Sequence, residues 1–362
     1  MGCNLEETPL EAVAPAPSPA IDALALVPPT PPRSAKERAR RHLPDRVVDG
    51  LDRAVHRLRR RRIRAIHWLL ARFGLNIVKR GDYYSTLPVL ADIELSRARW
   101  ERPSELVGVD VDVPAMHARL ASLAERWEDD YQATAGSWWA NAARGFGPGY
   151  PQLDARTLYY MLREHRPGAY LEVGSGLSTY YATLAARRNG AEGAPMRVTA
   201  IEPHPFEALR TLPGIHLIVD VVQQVPLERF TALQAGDVLF IDSSHALTID
   251  SDVAYLYLEV LPRLAPGVLV HIHDVPFPFT TPFPADVWLF GERWPVYWNE
   301  AMLVQAFLAF NPAFEILLST PLLRQDHEQA LVDAFADYVP VAEDANPPSS
   351  LWLRRTEVGH RR

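Results

Sequence analysis

The stretch Ala169-Tyr170-Leu171-Glu172-Val173-Gly174-Ser175-Gly176-Leu177-Ser178-Thr179 decides the fold. A short apolar run ends in two glycines, and a helix-forming segment, Ser178 to Arg188, follows at once. That is the pattern of a strand running into a helix through a tight turn. The chain repeats the pattern downstream. Val198 to Ile201 is closed by Glu202-Pro203, and Ile215 to Val219 is a third strand. Asp237 to Ile241 is closed by Asp242, and Val268 to Ile272 by His273-Asp274. Helices are predicted over 154–165, with Asp154 as cap and Leu158, Met161 and Leu162 on one side, and over 250–264 and 299–310. Phe314 to Leu318 and Leu351 to Arg355 are the last strands. Continuous apolar strands alternating with helices imply a mostly parallel sheet covered on both faces. In such sheets ligands bind beyond the carboxyl ends of the strands, and each polar cluster named here falls at such an end.

Upstream the composition changes. Residues 1–32 hold eight of the 32 prolines, four acids and no Lys or Arg, a net charge of −4. Such a segment cannot build a core and is expected to be disordered. Residues 33–80 carry sixteen Lys/Arg against four acids, a net +12, which leaves −15 for the rest of a chain whose total is −7. An acidic body argues against a nucleic-acid enzyme. The single cysteine, Cys3, excludes an internal disulfide framework or a multi-thiolate metal site. Glu6 stands where a myristoylation signal needs Ser or Thr. No apolar stretch is long enough to span a bilayer and no secretory leader is readable, so the expected location is cytoplasmic. Val47, Leu51, Val55 and Leu58, then Ile63, Ile66, Leu70 and Phe73, share helical spacing over 45–73, with Arg57 and Arg59 to Arg62 on the other side. This is a helix packed on the body or a basic amphipathic helix resting on anionic lipid or an acidic partner. Gly74 is its stop signal. The expected organisation is a tail over 1–44, a helical accessory region over 45–150, the catalytic domain over 151–356 and a short tail over 357–362.

Three clusters carry chemistry. At the glycine turn, Gly174 and Gly176 let the backbone approach a ligand, and the next helix start offers free N–H groups. A dinucleotide fingerprint needs a third glycine where Thr179 stands, and it rarely has an acid at the place of Glu172. An acid there suits the cationic amino-acid end of S-adenosylmethionine better than a pyrophosphate. Glu202, at the end of the next strand, can accept both ribose hydroxyls. Finally, Asp242-Ser243-Ser244-His245 and His273-Asp274 close two neighbouring strands. Asp242 and Asp274, with His273, could ligate a divalent metal, oxygen-rich ligation favouring magnesium or manganese. His245 could act from the same crevice as a general base with a pKa near neutrality. The aromatic stretch Pro276 to Trp298 is a lid or acceptor-pocket wall, or else an extra core layer or a dimer contact.

In this order, Tyr83-Tyr84-Ser85-Thr86-Leu87-Pro88, Leu171 to Thr179, Ile201-Glu202-Pro203, Gly236 to His245, Gly267 to Asp274 and Trp298-Asn299-Glu300 resemble class I S-adenosylmethionine-dependent methyltransferases, and within them methyltransferase family 24. The resemblance covers roughly residues 76–356. It implies a Rossmann-like seven-stranded sheet with the last strand antiparallel and helices on both faces. It also implies that Glu172, Gly174, Ser175, Gly176, Ser178 and Thr179 hold the methionine part of the cofactor, Glu202 the ribose, and Asp220 and Val221 the adenine side, with Asp242 beside them. Relatives of the catechol and macrolide-sugar type place magnesium where Asp242 and Asp274 stand, and the latter carry a basic His at the spacing of His245. This chain departs at His273, where those relatives have an acid; that imidazole is a softer ligand and could belong to the acceptor pocket. The candidate catalytic imidazoles are His245 and His273. The expected activity is O-methylation of a small-molecule or sugar hydroxyl. The rival readings are N- or C-methylation without metal, a non-catalytic cofactor-binding module tethered by its basic helix, and a nicotinamide-dependent oxidoreductase.

Overall fold

Seven short runs of apolar residues pair into one sheet in the computed structural model, which describes residues 44–78, 80–147, 149–292, 294–340 and 347–357. Apart from Pro44 and Glu357, the expected tails over 1–44 and 357–362 lie outside the described residues. The chain divides into two units, residues 1–82 and 83–362. In the first, α1 (Asp45–Ala71) is a single helix, and Gly74 follows it with φ +69°. A positive φ costs glycine nothing, so the chain leaves the helix there. The apolar residues Val47, Leu51, Val55, Leu58, Ile63 and Ile66 of α1 are exposed. No described helix is long and apolar enough to cross a membrane.

The second unit opens with short helices and then α2 (Val113–Ala135), whose start is capped by Asp112 accepting from the Ala115 N–H at 2.9 Å. There follow α3 (Gln152–His165), β1 (Ala169–Val173), α4 (Leu177–Ala191), β2 (Arg197–Ile201), β3 (Ile215–Ile218) and β4 (Val238–Ile241). Next come α5 (Asp252–Tyr255), β5 (Leu269–Ile272), α6 (Glu300–Leu308), β6 (Phe314–Ser319), α7 (Thr320–Ala334) and β7 (Leu351–Arg355). The strand order is β3-β2-β1-β4-β5-β7-β6, with β1 to β5 mutually parallel and β7 antiparallel to both neighbours. β1, β4 and β5 are buried along their whole length, as expected of central strands with helices on both faces.

Two readings of the sequence need correction. The helix expected over 250–264 is α-helical only to Tyr255; it widens over Leu256–Val260 and tightens over Leu261–Arg263, where Pro262 removes a backbone donor. Asp154 does not cap α3, which begins at Gln152, and α3 is not apolar on one side alone. Every residue from Leu153 to Arg163 is buried: Tyr131 of α2 packs on Tyr159 and Tyr160, and Phe335 and Asp337 close over Arg156. Its two buried arginines are paired: Arg156 with Asp337 at 2.7 Å, Arg163 with Asp130 at 2.8 Å and Glu192 at 2.6 Å. A buried charge persists only with such partners.

The register fixes the site. Val173 pairs with Ile201 and Ile241, and Ile241 with Ile272. The residues that follow therefore stand in one row along the carboxyl edge: Gly174, Glu202, Asp242 and His273. The ladder continues one step into this row, since Gly174 donates to the Ile201 carbonyl, Asp242 to Val173 and His273 to Ile241.

Candidate active site

Two hollows open above that row, and a knot of carboxylates and imidazoles lies where they meet. The first, with about 440 Å³ of room for water, is lined by Gly174, Glu202, Val221, Gln223, Asp242 and Ser243 among others. The second, a narrow cleft with room for only about 20 Å³ of water, is lined by His245, Asp274, Glu300, Phe283, Trp288 and Trp298 among others.

The glycine turn is shaped as much by the protein as by any ligand. Gly174 has φ +76°, and a Cβ on it would stand 1.8 Å from the Asp242 carbonyl oxygen. A Cβ on Gly176 would stand 2.8 Å from the Phe146 carbonyl oxygen. Bare backbone is thus what lets β1 end against β4. Ser175 donates its N–H to Glu202 Oε2 at 3.2 Å, while Glu202 Oε1 accepts from His204 N at 2.8 Å. Glu202 is held at the rim of the first hollow by these two backbone donors.

Glu172, Ser178 and Thr179 stand elsewhere than expected. All three are buried and line neither hollow. The Ser178 hydroxyl donates to Glu172 Oε1 at 2.5 Å, tying the start of α4 to β1. Burial pushes the Glu172 carboxyl up to about 8, against the pull of the Ser178 and Thr179 hydrogen bonds. Its place is beneath the turn, where the Ser178 hydrogen bond joins it to the start of α4. Asp220 turns its carboxylate onto the N–H of Val221 at 2.8 Å; Val221 lines the hollow and Asp220 does not.

Asp242, His245 and Asp274 come together as the spacing suggests. His245 Nε2 is 3.2 Å from Asp242 Oδ1 and 3.4 Å from Asp274 Oδ2. One ligand atom from each of the three lies within 4.8 Å of the other two, so they could hold a metal ion. Two residues of this knot adopt left-handed backbone without being glycine: His245 at φ +57° and Asp274 at φ +56°. Such conformations survive where surroundings over-determine them, commonly at functional sites. Here the surroundings are visible. The His245 carbonyl accepts from the N–H groups of Asn299 and Glu300, and Asn299 Oδ1 accepts from Leu247 N at 2.6 Å.

Glu300, a residue without a role in the sequence reading, is the third partner of His245. Its carboxylate is 1% exposed, and Oε2 lies 2.8 Å from His245 Nδ1. The expectation of a near-neutral pKa for His245 is therefore corrected. Burial alone would lower it, but hydrogen bonds to Asp242 and Glu300 and the charge of Asp274 raise it well above the ordinary imidazole range. The same balance sets the carboxylates. Burial would raise Asp242, yet His273 and His245 hold it well below the ordinary range. Burial lifts Asp274 against the pull of both imidazoles.

His273 was expected at the catalytic surface. It is 1% exposed and lines neither hollow, so whatever it does passes through other residues. Its Nδ1 is 3.6 Å from Asp242 Oδ2 and 3.6 Å from Asp274 Oδ1. On its far side Nε2 faces Asp154 Oδ2 at 3.2 Å. The aromatic stretch after Asp274 supplies a wall of the second hollow through Phe283, Trp288 and Trp298, with the Trp298 ring edge-on to His245 at 4.7 Å; Phe277 and Leu289 are buried and add to the core.

Residues 171–275, from β1 through the Asp242 and His273-Asp274 strand ends, match the family model described as a methyltransferase domain. The chain carries a class I methyltransferase domain. The seven-stranded sheet and the antiparallel β7 are those that the sequence resemblance implied for this S-adenosylmethionine-dependent class. No curated protein sequence matches the chain. Among solved structures, the methyltransferase domain is similar to an SAH-bound methyltransferase of Podospora anserina (16% identity, 75% of this chain and 99% of that one, TM-score 0.34). It is similar also to a putative O-methyltransferase of Klebsiella pneumoniae (13%, 60% and 86%, 0.36) and to a SAM-bound O-methyltransferase of Streptomyces achromogenes involved in tomaymycin synthesis (14%, 68% and 92%, 0.36).

Proposed function

We propose that this methyltransferase moves the methyl group of S-adenosylmethionine to a hydroxyl of a small-molecule or sugar acceptor, with His245 as the residue through which the acceptor's proton leaves. The observation that carries the reading is the Asp242–His245 contact at 3.2 Å, because Asp242 lines the first hollow and His245 the second. A donor bound over Gly174 and Glu202 and an acceptor bound against Trp288 and Trp298 would meet at that contact. The sulfonium carbon is already activated, so alignment supplies most of the acceleration and proton removal a further factor. Glu202 suits the ribose, the Val221 side the adenine, and the turn Gly174-Ser175-Gly176 the methionine end.

In the arrangement described, the imidazole carries its proton between Asp242 and Asp274. It becomes an acceptor once another positive charge shares those carboxylates. A divalent ion on Asp242 and Asp274 would supply that charge, together with Lewis acidity toward the acceptor hydroxyl. The donor set fits such an ion: two carboxylates and the His245 imidazole, with one ligand atom from each within 4.8 Å of the others. The test is incubation with S-adenosylmethionine labelled in the methyl group and a panel of hydroxylated, amine and carbon acceptors, with and without divalent ions. Label appearing as methyl ether is the expected result. Transfer to nitrogen or carbon alone, untouched by chelator, would replace this reading.

A further inference from the structure

The helix α1 (Asp45–Ala71) lines neither hollow, and its two faces differ sharply in chemistry. Between Arg53 and Arg64 stand seven arginines and no acid. At about 100° per residue, Arg53, Arg57, Arg60 and Arg64 fall within roughly 60° of one another. Val47, Leu51, Val55, Leu58, Ile66 and Leu69 fall within roughly 100° on the opposite side, and all six are exposed. Beyond Arg64 the chain turns apolar. Trp68 is 63% exposed and Phe73 73%, and Leu75 and Ile77 after the helix are exposed too. The Arg72 guanidinium lies 4.7 Å from the centre of the Trp68 ring, so an aromatic and a cation share that end.

The placement of the charges decides what covers the apolar face. Arg62 falls inside the apolar arc, and Arg59 and Arg61 fall at its two margins. A dry groove on a partner protein would have to bury Arg62. A second copy packed in parallel on this face would set Arg62 against Arg62. A nucleic acid would take the guanidinium groups and leave the apolar face in water. An anionic bilayer surface suits both faces at once. The apolar side chains enter the acyl boundary, and the stems of Arg59, Arg61 and Arg62 lie along it while their guanidinium groups reach the lipid phosphates. With 27 residues the helix is about 40 Å long, long enough to cross a bilayer, but its charge keeps it out of the crossing class.

We propose that α1 is a membrane-surface anchor. It lies in the plane of an anionic bilayer with its apolar face inward, its arginines at the phosphates, and the end from Ile66 to Phe73 inserted most deeply. The proposal is independent of the methyl-transfer reading, to which α1 contributes no residue.

The test is co-sedimentation of the full-length chain with phosphatidylcholine vesicles, alone or holding about 30% phosphatidylserine. Binding to the anionic vesicles at least tenfold tighter than to phosphatidylcholine alone is expected, weakening as salt rises from about 0.1 to 0.5 M. Arg53→Gln, Arg57→Gln, Arg60→Gln and Arg64→Gln combined should weaken it by about 100-fold. Ile66→Ser with Leu69→Ser should weaken it at least tenfold at unchanged charge. Both variants should keep the S-adenosylhomocysteine affinity of the wild type within twofold. Equal binding to the two vesicles, or none to either, would overturn the proposal. So would a serine variant that binds as tightly as the wild type, since charge alone would then act, as toward a nucleic acid or an acidic protein. Dimerisation through α1 in analytical ultracentrifugation that releases the vesicles would overturn it in favour of a second copy. Should the serine variant fail to fold, Trp68 decides. The chain has nine tryptophans, so the fluorescence difference between wild type and Trp68→Phe isolates this one. Its quenching by lipids brominated in the acyl chain supports the proposal, and its indifference to them overturns it.

Discussion

Replacing Gly174 with alanine puts the account of the glycine turn under direct strain. At φ +76° an L side chain is disfavoured by about 1–2 kcal/mol. The added Cβ would also stand 1.8 Å from a backbone oxygen, where contacts under 3.0 Å essentially never occur. That oxygen belongs to Asp242, which is tied to β1 by its own N–H and cannot swing aside like a side chain. Overpacking of this kind costs a further 1–3 kcal/mol or so, and the two together come to about 2–5 kcal/mol. At roughly 2–4 °C per kcal/mol for a unit of this size, the melting temperature should fall by about 4–20 °C. The relief must come from separating the ends of β1 and β4, which moves Asp242 and opens the rim beside Glu202. S-adenosylhomocysteine affinity should therefore drop at least tenfold even well below the melting point. Scanning calorimetry and titration calorimetry at 20 °C make the measurement. A variant that melts within about 1 °C of the wild type and binds the nucleoside as well would show that the turn tolerates a side chain there.

Three further outcomes follow from named residues. Glu172 has its pKa raised by burial in the fold to about 8 from the ordinary 4.5, so the folded state holds a proton that the unfolded state gives up first; this contribution is fully present below pH 4.5 and is lost as pH rises through 8. Glu172→Gln should remove that decline, on the order of a few kcal/mol in urea unfolding between pH 5.5 and 8.5, and an unchanged decline would show the carboxyl to be ionised. Glu202→Ala frees the Ser175 N–H and removes the ribose acceptor, so S-adenosylhomocysteine should bind about 10- to 100-fold more weakly by calorimetry; equal affinity would take Glu202 out of the cofactor site. His245→Ala should lower methyl transfer to a hydroxyl acceptor by about 10²- to 10⁴-fold while leaving nucleoside affinity nearly unchanged, and retained turnover would remove it from proton transfer.

The parts of this molecule legible in the sequence are those set by local pattern. Continuous apolar runs marked the strands, and the residue closing each run marked the carboxyl edge where Gly174, Glu202, Asp242 and His273 now stand in register. What local pattern cannot show is which side of the backbone a residue faces or what arrives from far along the chain. Glu172 and Glu202 look alike as acids at strand ends, yet Glu172 lies one residue earlier in its strand than Val173, points into the protein and is buried. Asp154 looked like a helix cap because an acid in a first turn usually is one. Its burial depends on α7 and β7, some 166 and 195 residues distant. Glu300 lay within the Trp298-Asn299-Glu300 motif but drew no role, since its partner His245 is reached only when the start of α6 folds back onto that carbonyl. A signal was available for Asp154: an acid flanked by Leu153 and Ala155 in a segment apolar on every side needs a buried partner.

A sulfonium nucleoside is proposed to bind above the junction of β1, β2 and β4. Titration calorimetry of the purified chain with S-adenosylmethionine and, separately, with NAD tests it most directly. One molecule of S-adenosylmethionine bound per chain, with no heat from NAD, is the predicted result. Silence toward S-adenosylmethionine and S-adenosylhomocysteine at millimolar concentration would contradict it.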